Sequence, residues 1–163
     1  MVEYQIQPSP ILRTSKNVFS GGVEGLWTPT VTFSTPGDLN VVYQDRFGSY
    51  RRFGNLCYVD FQVITGSFTY ATSADNLLID GLPFVRATAN NGWPDEYIGP
   101  LSWTGITKVG YTEIKLLISS TAPQIQFQAS GSGVGVSKLT TLDVPSGGNI
   151  YLVGNVTYRI DAN

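Results

Sequence analysis

The chain contains no histidine and a single cysteine, Cys57. Without imidazole there is no histidine general base, no triad built on one and no zinc site of Cys/His composition, and a lone thiol closes no intrachain disulfide. Charge is also scarce. Only 13% of residues are Asp, Glu, Lys or Arg, where about 25% is usual, so Ser, Thr, Asn, Gln and Gly must build the surface. Such a surface suits an extracellular or particle-borne protein. The net charge of -2 and an isoelectric point near 4.9 remove the basic footprint that nucleic acid requires, so no nucleic-acid partner is expected. Long apolar runs are missing too. Ile150-Tyr-Leu-Val falls far short of the roughly 20 residues of a membrane helix, and MVEYQIQPSP lacks the basic-then-apolar layout of a secretory signal. The expectation is a soluble chain without membrane insertion and without a cofactor.

What the chain does have is β-patterning. Its 163 residues fit one domain, at roughly 100 to 200 residues per domain. No stretch sustains an apolar stripe at helical spacing, and 18 glycines and 9 prolines interrupt every candidate. Segments of period two, rich in β-branched and aromatic residues, recur between turn signals. They are Trp27 to Phe33, Asn40 to Gln44, Tyr50 to Phe53, Leu56 to Thr65, Asn76 to Ile79, two short strands within Tyr97 to Val109, Glu113 to Ser119, Gln124 to Ala129 and Gly148 to Ile160. In the fourth, Cys57, Val59, Phe61 and Val63 alternate with Tyr58, Asp60 and Gln62, the pattern of a strand with one buried and one wet face. Cys57 is then a small core residue, since no Lys or His adjoins it to activate the thiol. Gln124, Gln126 and Gln128 alternate with Ile125, Phe127 and Ala129 and are read as a solvated ladder. The run Ser130-Gly-Ser-Gly-Val-Gly-Val reads as a loop and opens no helix that would make it a phosphate cradle.

Residues 1–24 differ in character, with Pro8, Pro10 and Ser20-Gly-Gly ahead of the first strand. They read as an arm, either a solvated tail or an attachment segment that orders on a partner. Tyr4, Ile6, Ile11, Leu12 and Phe19 favour attachment, because a solvated tail has no need of them. The domain proper is then 25–163. Within it, Arg51 and Arg52 occupy consecutive positions of an extended segment and point to opposite faces, so they do not line one site together. Gly54-Asn55 turns the chain back, making Tyr50 to Phe53 and Leu56 to Thr65 a hairpin.

Three segments, in order, carry a resemblance. Gly25-Leu-Trp-Thr-Pro-Thr-Val-Thr-Phe33, then Gly48-Ser-Tyr-Arg-Arg-Phe-Gly-Asn-Leu56, then Asp80-Gly-Leu-Pro-Phe84 precede a terminal strand Gly148-Asn-Ile-Tyr-Leu-Val-Gly-Asn-Val-Thr-Tyr158. Together with Tyr43 this resembles the C-terminal jelly-roll domains of bacteriophage tail-fibre and head-fibre proteins. The resemblance covers about residues 25–160. It implies an antiparallel jelly-roll sandwich of about eight to ten strands, similar in shape to tumour-necrosis-factor domains, assembled as a homotrimer. It further implies a virion protein on the particle surface, with a receptor-binding or capsid-decorating role and capsid or tail proteins as partners. A long fibre shaft is missing from this sequence; if Met1 is the native start, a decoration or head-fibre role attached through the arm gains on the tail-fibre tip. A composition of 12% aromatic residues with few charges accords with subunits that share apolar surface.

The segment from Asn90 to Trp103 concentrates candidate binding residues. Sugar rings stack their C-H faces on aromatic planes, and their hydroxyls need fixed amide and carboxylate partners. Trp93, Tyr97 and Trp103 with Asn90, Asn91, Asp95 and Glu96 supply both, as a site for a host-surface glycan or receptor. The plainer alternative is that Trp93 or Trp103 plugs an end of the barrel or a subunit interface. Asp95 and Glu96 invite comparison with a glycosidase pair, but adjacent residues of an extended loop diverge, so no enzyme is expected. A calcium loop there lacks the alternating Asp/Asn pattern. Asp45-Arg46 and Arg86 read as solvated charges or a subunit-interface ion pair. Three readings of function stand: a non-enzymatic glycan-contacting virion domain, a purely structural decoration protein, and a carbohydrate-binding module or polysaccharide depolymerase.

Overall fold

Period-two alternation yields eleven strands in the computed structural model, which describes residues 22–88, 94–119, 121–131 and 133–161. The strands are β1 (Gly22–Trp27), β2 (Thr30–Thr35), β3 (Asn40–Phe53), β4 (Leu56–Thr69), β5 (Ala74–Asp80), β6 (Tyr97–Gly99), β7 (Leu101–Thr104), β8 (Glu113–Ile118), β9 (Gln124–Gly131), β10 (Val134–Lys138) and β11 (Tyr151–Arg159). They form two antiparallel sheets. The first runs β1-β3-β4-β11-β7 and the second β2-β5-β9-β8-β6, with β10 alongside β9. This is the all-β sandwich expected of a jelly roll, with one strand more than the upper end of the expected range.

The core lies between the sheets, where the alternating faces meet. Val59, Phe61 and Val63 of β4 and Leu152, Val156 and Tyr158 of β11 face Leu116, Ile125 and Phe127 of the second sheet, all of them buried. Cys57 is fully buried among them, as its place in the alternation predicts, and burial pushes its thiol pKa up and away from reactivity. Burial likewise holds the Tyr158 hydroxyl in its neutral form, where it donates 2.9 Å to the carbonyl of Phe84.

The three segments that carry the resemblance meet in space. Gly25 lies opposite Tyr50 and Trp27 opposite Gly48 across the β1–β3 pair. In both pairs the glycine leaves room for the ring: a Cβ on Gly48 would come within 2.5 Å of the Trp27 indole nitrogen, and one on Gly25 within 2.7 Å of the Tyr50 ring. Tyr50 in turn meets Phe84 edge to face at 5.3 Å, and the Arg52 guanidinium sits 5.2 Å from the same ring. The segments are therefore architectural, locking β1, β3 and the turn after β5 together.

Several expectations need correction. Trp27 to Phe33 is not one strand, because the chain crosses between sheets at Thr28-Pro29 and β1 and β2 pair with different neighbours. Asn40 to Gln44 and Tyr50 to Phe53 are one strand, β3, whose phase is shifted by irregularities beside Val42, Tyr43 and Asp45. The glycine-rich run is not a loop throughout: from Val134 it forms β10, paired with β9. The glutamines of β9 are half-buried, with Gln126 accepting from the Ser119 hydroxyl. Arg86 is not solvated. It is buried at 7% exposure and donates to the carbonyls of Ala87 and Ser119. Asp45 and Arg46 are exposed, as read. The Gly54-Asn55 turn of the β3–β4 hairpin stands, with Gly54 at φ 58, where a side chain is disfavoured. Strand β1 begins at Gly22, while Tyr4, Ile6, Ile11, Leu12 and Phe19 lie outside the described residues.

Candidate functional site

Of the residues singled out between 90 and 103, Asn90, Asn91 and Trp93 lie outside the described residues. Asp95 and Glu96 are exposed just ahead of β6. Tyr97 is half-buried and packs against the core, as does Trp103. Trp103 also lines a cavity of about 350 Å³ between β7 and β8, beside the ion pair of Lys115 with Glu113 at 3.0 Å. The two carboxylates are thus open to solvent, next in sequence to a ring that leans on the core.

What the segment does build is a wall. Between β6 in the second sheet and β7 in the first stands a single residue, Pro100, so the chain steps from sheet to sheet and closes one side of the sandwich. Gly99 makes this approach possible, since a Cβ there would collide with the carbonyl oxygen of Asn155 on β11. Gly154 has a related role: its Cβ would lie 2.8 Å from the Pro100 carbonyl oxygen. With no side chains between them, the crossover and β11 pack backbone to backbone.

Along this wall runs a groove of about 530 Å³ on the outer face of the first sheet. Its lining comes from four strands brought into register: Phe47 of β3 beside Gln62 of β4, and Val153 of β11 beside Ser102 of β7. Asp60, Leu101 and Asn155 complete the lining that carries chemistry. Phe47 is 50% exposed in the middle of a paired strand. Asp60 is held in place: its Oδ1 accepts from the Ser49 amide at 3.2 Å and the Ser49 hydroxyl at 2.7 Å, while its backbone carbonyl accepts from the Trp27 indole at 3.2 Å. The Gln62 amide nitrogen donates 2.6 Å to Asp45. Among the described residues Asp60 is the one acidic residue of this lining, and a second carboxylate, Asp45, adjoins it through Gln62. Sequence reasoning placed Asp60 and Gln62 on a wet face but saw no site. Phe47 drew no attention because nothing local shows that it stands beside Gln62, Val153 and Ser102.

Among the described residues no group of three or more His, Cys, Asp or Glu side chains is arranged to hold a metal ion. No described helix is long and apolar enough to cross a membrane.

No family model matches the chain, and no curated protein matches it. Among solved structures, the fold is similar to part of the crystal structure of the Dettilon tailspike protein, with a TM-score of 0.52 and 18% identity. The likeness covers 83% of this chain but only 23% of the tailspike, so the chain spans less than a quarter of that protein's length. At this identity what the two share is a fold, the β sandwich described above.

Proposed function

We propose that the chain is a surface domain of a bacteriophage virion, of the fibre or tailspike kind, which contacts a host surface glycan without cleaving it. The observation that carries this reading is the likeness of fold to part of a tailspike over 83% of the chain. The order of the motif segments supports it, since they resemble phage fibre domains and interlock at Trp27, Tyr50 and Phe84. A surface poor in charge and an open groove with an exposed ring and fixed polar groups suit contact with a carbohydrate. In this reading the domain works as a homotrimer, and residues 1–24 attach it to capsid or tail proteins. Exposed Leu26 (72%), Val23 (52%) and Val42 (54%) are apolar surface that partner subunits would cover.

Light scattering behind size exclusion tests the assembly. The expected solution mass is three times 17.7 kDa, and a monomer at all concentrations overturns the trimer. Incubation with bacterial surface polysaccharide tests the chemistry: no reducing ends are expected, and their release in proportion to protein makes the domain a depolymerase instead.

A further inference from the structure

Resting on that glycan-contact reading, we infer that the groove on the outer face of the first sheet is the binding site, and that it takes neutral or N-acetylated pyranose saccharides. Phe47 is the stacking platform, and Asp60, Gln62, Asn155 and Ser102 are the hydrogen-bonding groups.

The first support is shape. The groove's volume of about 530 Å³ lies within the roughly 300 to 1,000 Å³ of small-ligand sites. A phenyl ring 50% exposed on a paired strand offers one open π-face to such a ligand. The second is preorganisation. Asp60 Oδ1 is engaged by Ser49, leaving Oδ2 without a partner among the described residues. Gln62 is tied through its nitrogen to Asp45, leaving its oxygen without a partner among the described residues. The Asn155 amide and Ser102 hydroxyl likewise make no hydrogen bond to the described residues, so the groove holds both donors and acceptors, which sugar hydroxyls require. All of these groups stand on strands, so little side-chain order is lost on binding.

The third is charge, and it selects among saccharides. Among the described residues no Lys or Arg lines the groove, while Asp60 lines it and Asp45 adjoins Gln62. A uronate or sialate would meet repulsion with no compensating cation, whereas neutral and N-acetylated sugars would not. The mixed lining also argues against an apolar protein surface as occupant. Polar atoms of Asp60, Gln62 and Asn155 without a partner among the described residues lie between Phe47, Leu101 and Val153, and burying them unpaired is costly.

The test uses the whole chain on a printed array of short neutral hexose and N-acetylhexosamine oligosaccharides beside uronic and sialic acid oligomers. Binding to members of the neutral set is expected. Phe47→Ala and Asn155→Ala should each weaken it by about tenfold or more, the loss typical of an anchor residue. Their solution mass and melting temperature should stay at the parent values. Undiminished binding by both variants overturns the groove but leaves glycan contact standing. Preference for the acidic set overturns the ligand class. Binding to no glycan at all overturns the groove together with the reading on which it rests. A change of solution mass in Phe47→Ala makes the groove a subunit interface and overturns the inference.

Discussion

Asp38 shows what a single carboxylate does in a fold without disulfides. It accepts hydrogen bonds from the backbone amides of Ala71 and Thr72 and from the Thr72 hydroxyl, tying the loop before β3 to the loop after β4. Those backbone donors favour the ionised form and lower its pKa from 3.8 to about 2. The folded protein therefore binds this proton less readily than the unfolded chain. The stabilisation is complete above pH 3.8 and is lost as pH falls through about 2. Urea midpoints measured across this acid window should decline in the parent, and Asp38→Asn should remove that part of the slope; an identical slope in the variant refutes the assignment. Other residues were not readable in advance. Arg86 looks like a surface cation in sequence, and its burial depends on carbonyls, one of them at Ser119, that only the fold brings to it.

At the scale of elements, legibility followed burial. β4 was plain in the sequence because one face is buried from Cys57 to Val63, where apolar and polar residues alternate without a break. β3 was not, because Gln44 through Phe47 are all exposed and the irregularities near Tyr43 shift the phase. The crossing at Thr28-Pro29 has one local mark, the proline, which cannot donate to a ladder, but both flanks look like strand and the change of sheet partner is not written there. The groove draws on β3, β4, β7 and β11, so its chemistry could be named residue by residue but not assembled. The crossover between β6 and β7 is where element geometry is most exacting. Gly99→Ala should push the crossover away from β11, since the obstructing atom is a backbone oxygen that cannot rotate aside. The expected cost is about 1 to 3 kcal/mol, read as a lower denaturant midpoint, with saccharide binding weakened because the groove wall moves. Unchanged stability and binding would show that the two backbones are not held in register there.

For the molecule as a whole, the decisive arrangement is that β11 lies between β4 and β7 in the first sheet. It pairs with β4 from Tyr151 opposite Ile64 to Arg159 opposite Leu56, and with β7 through Tyr151 to Gly154. It also carries Leu152, Val156 and Tyr158 into the core. A chain ending before Tyr151 should therefore keep no sandwich, and circular dichroism on heating should show no cooperative transition; a sharp transition in that truncation would mean that the remaining strands close on their own. There is a consequence for synthesis. The ribosome delivers β4 long before β11, so the first sheet waits with an unpaired edge and an uncovered apolar face until Arg159 has emerged. Nascent chains must therefore be kept apart from the synthesis of β4 until that of β11, and that interval is when aggregation competes most strongly with assembly.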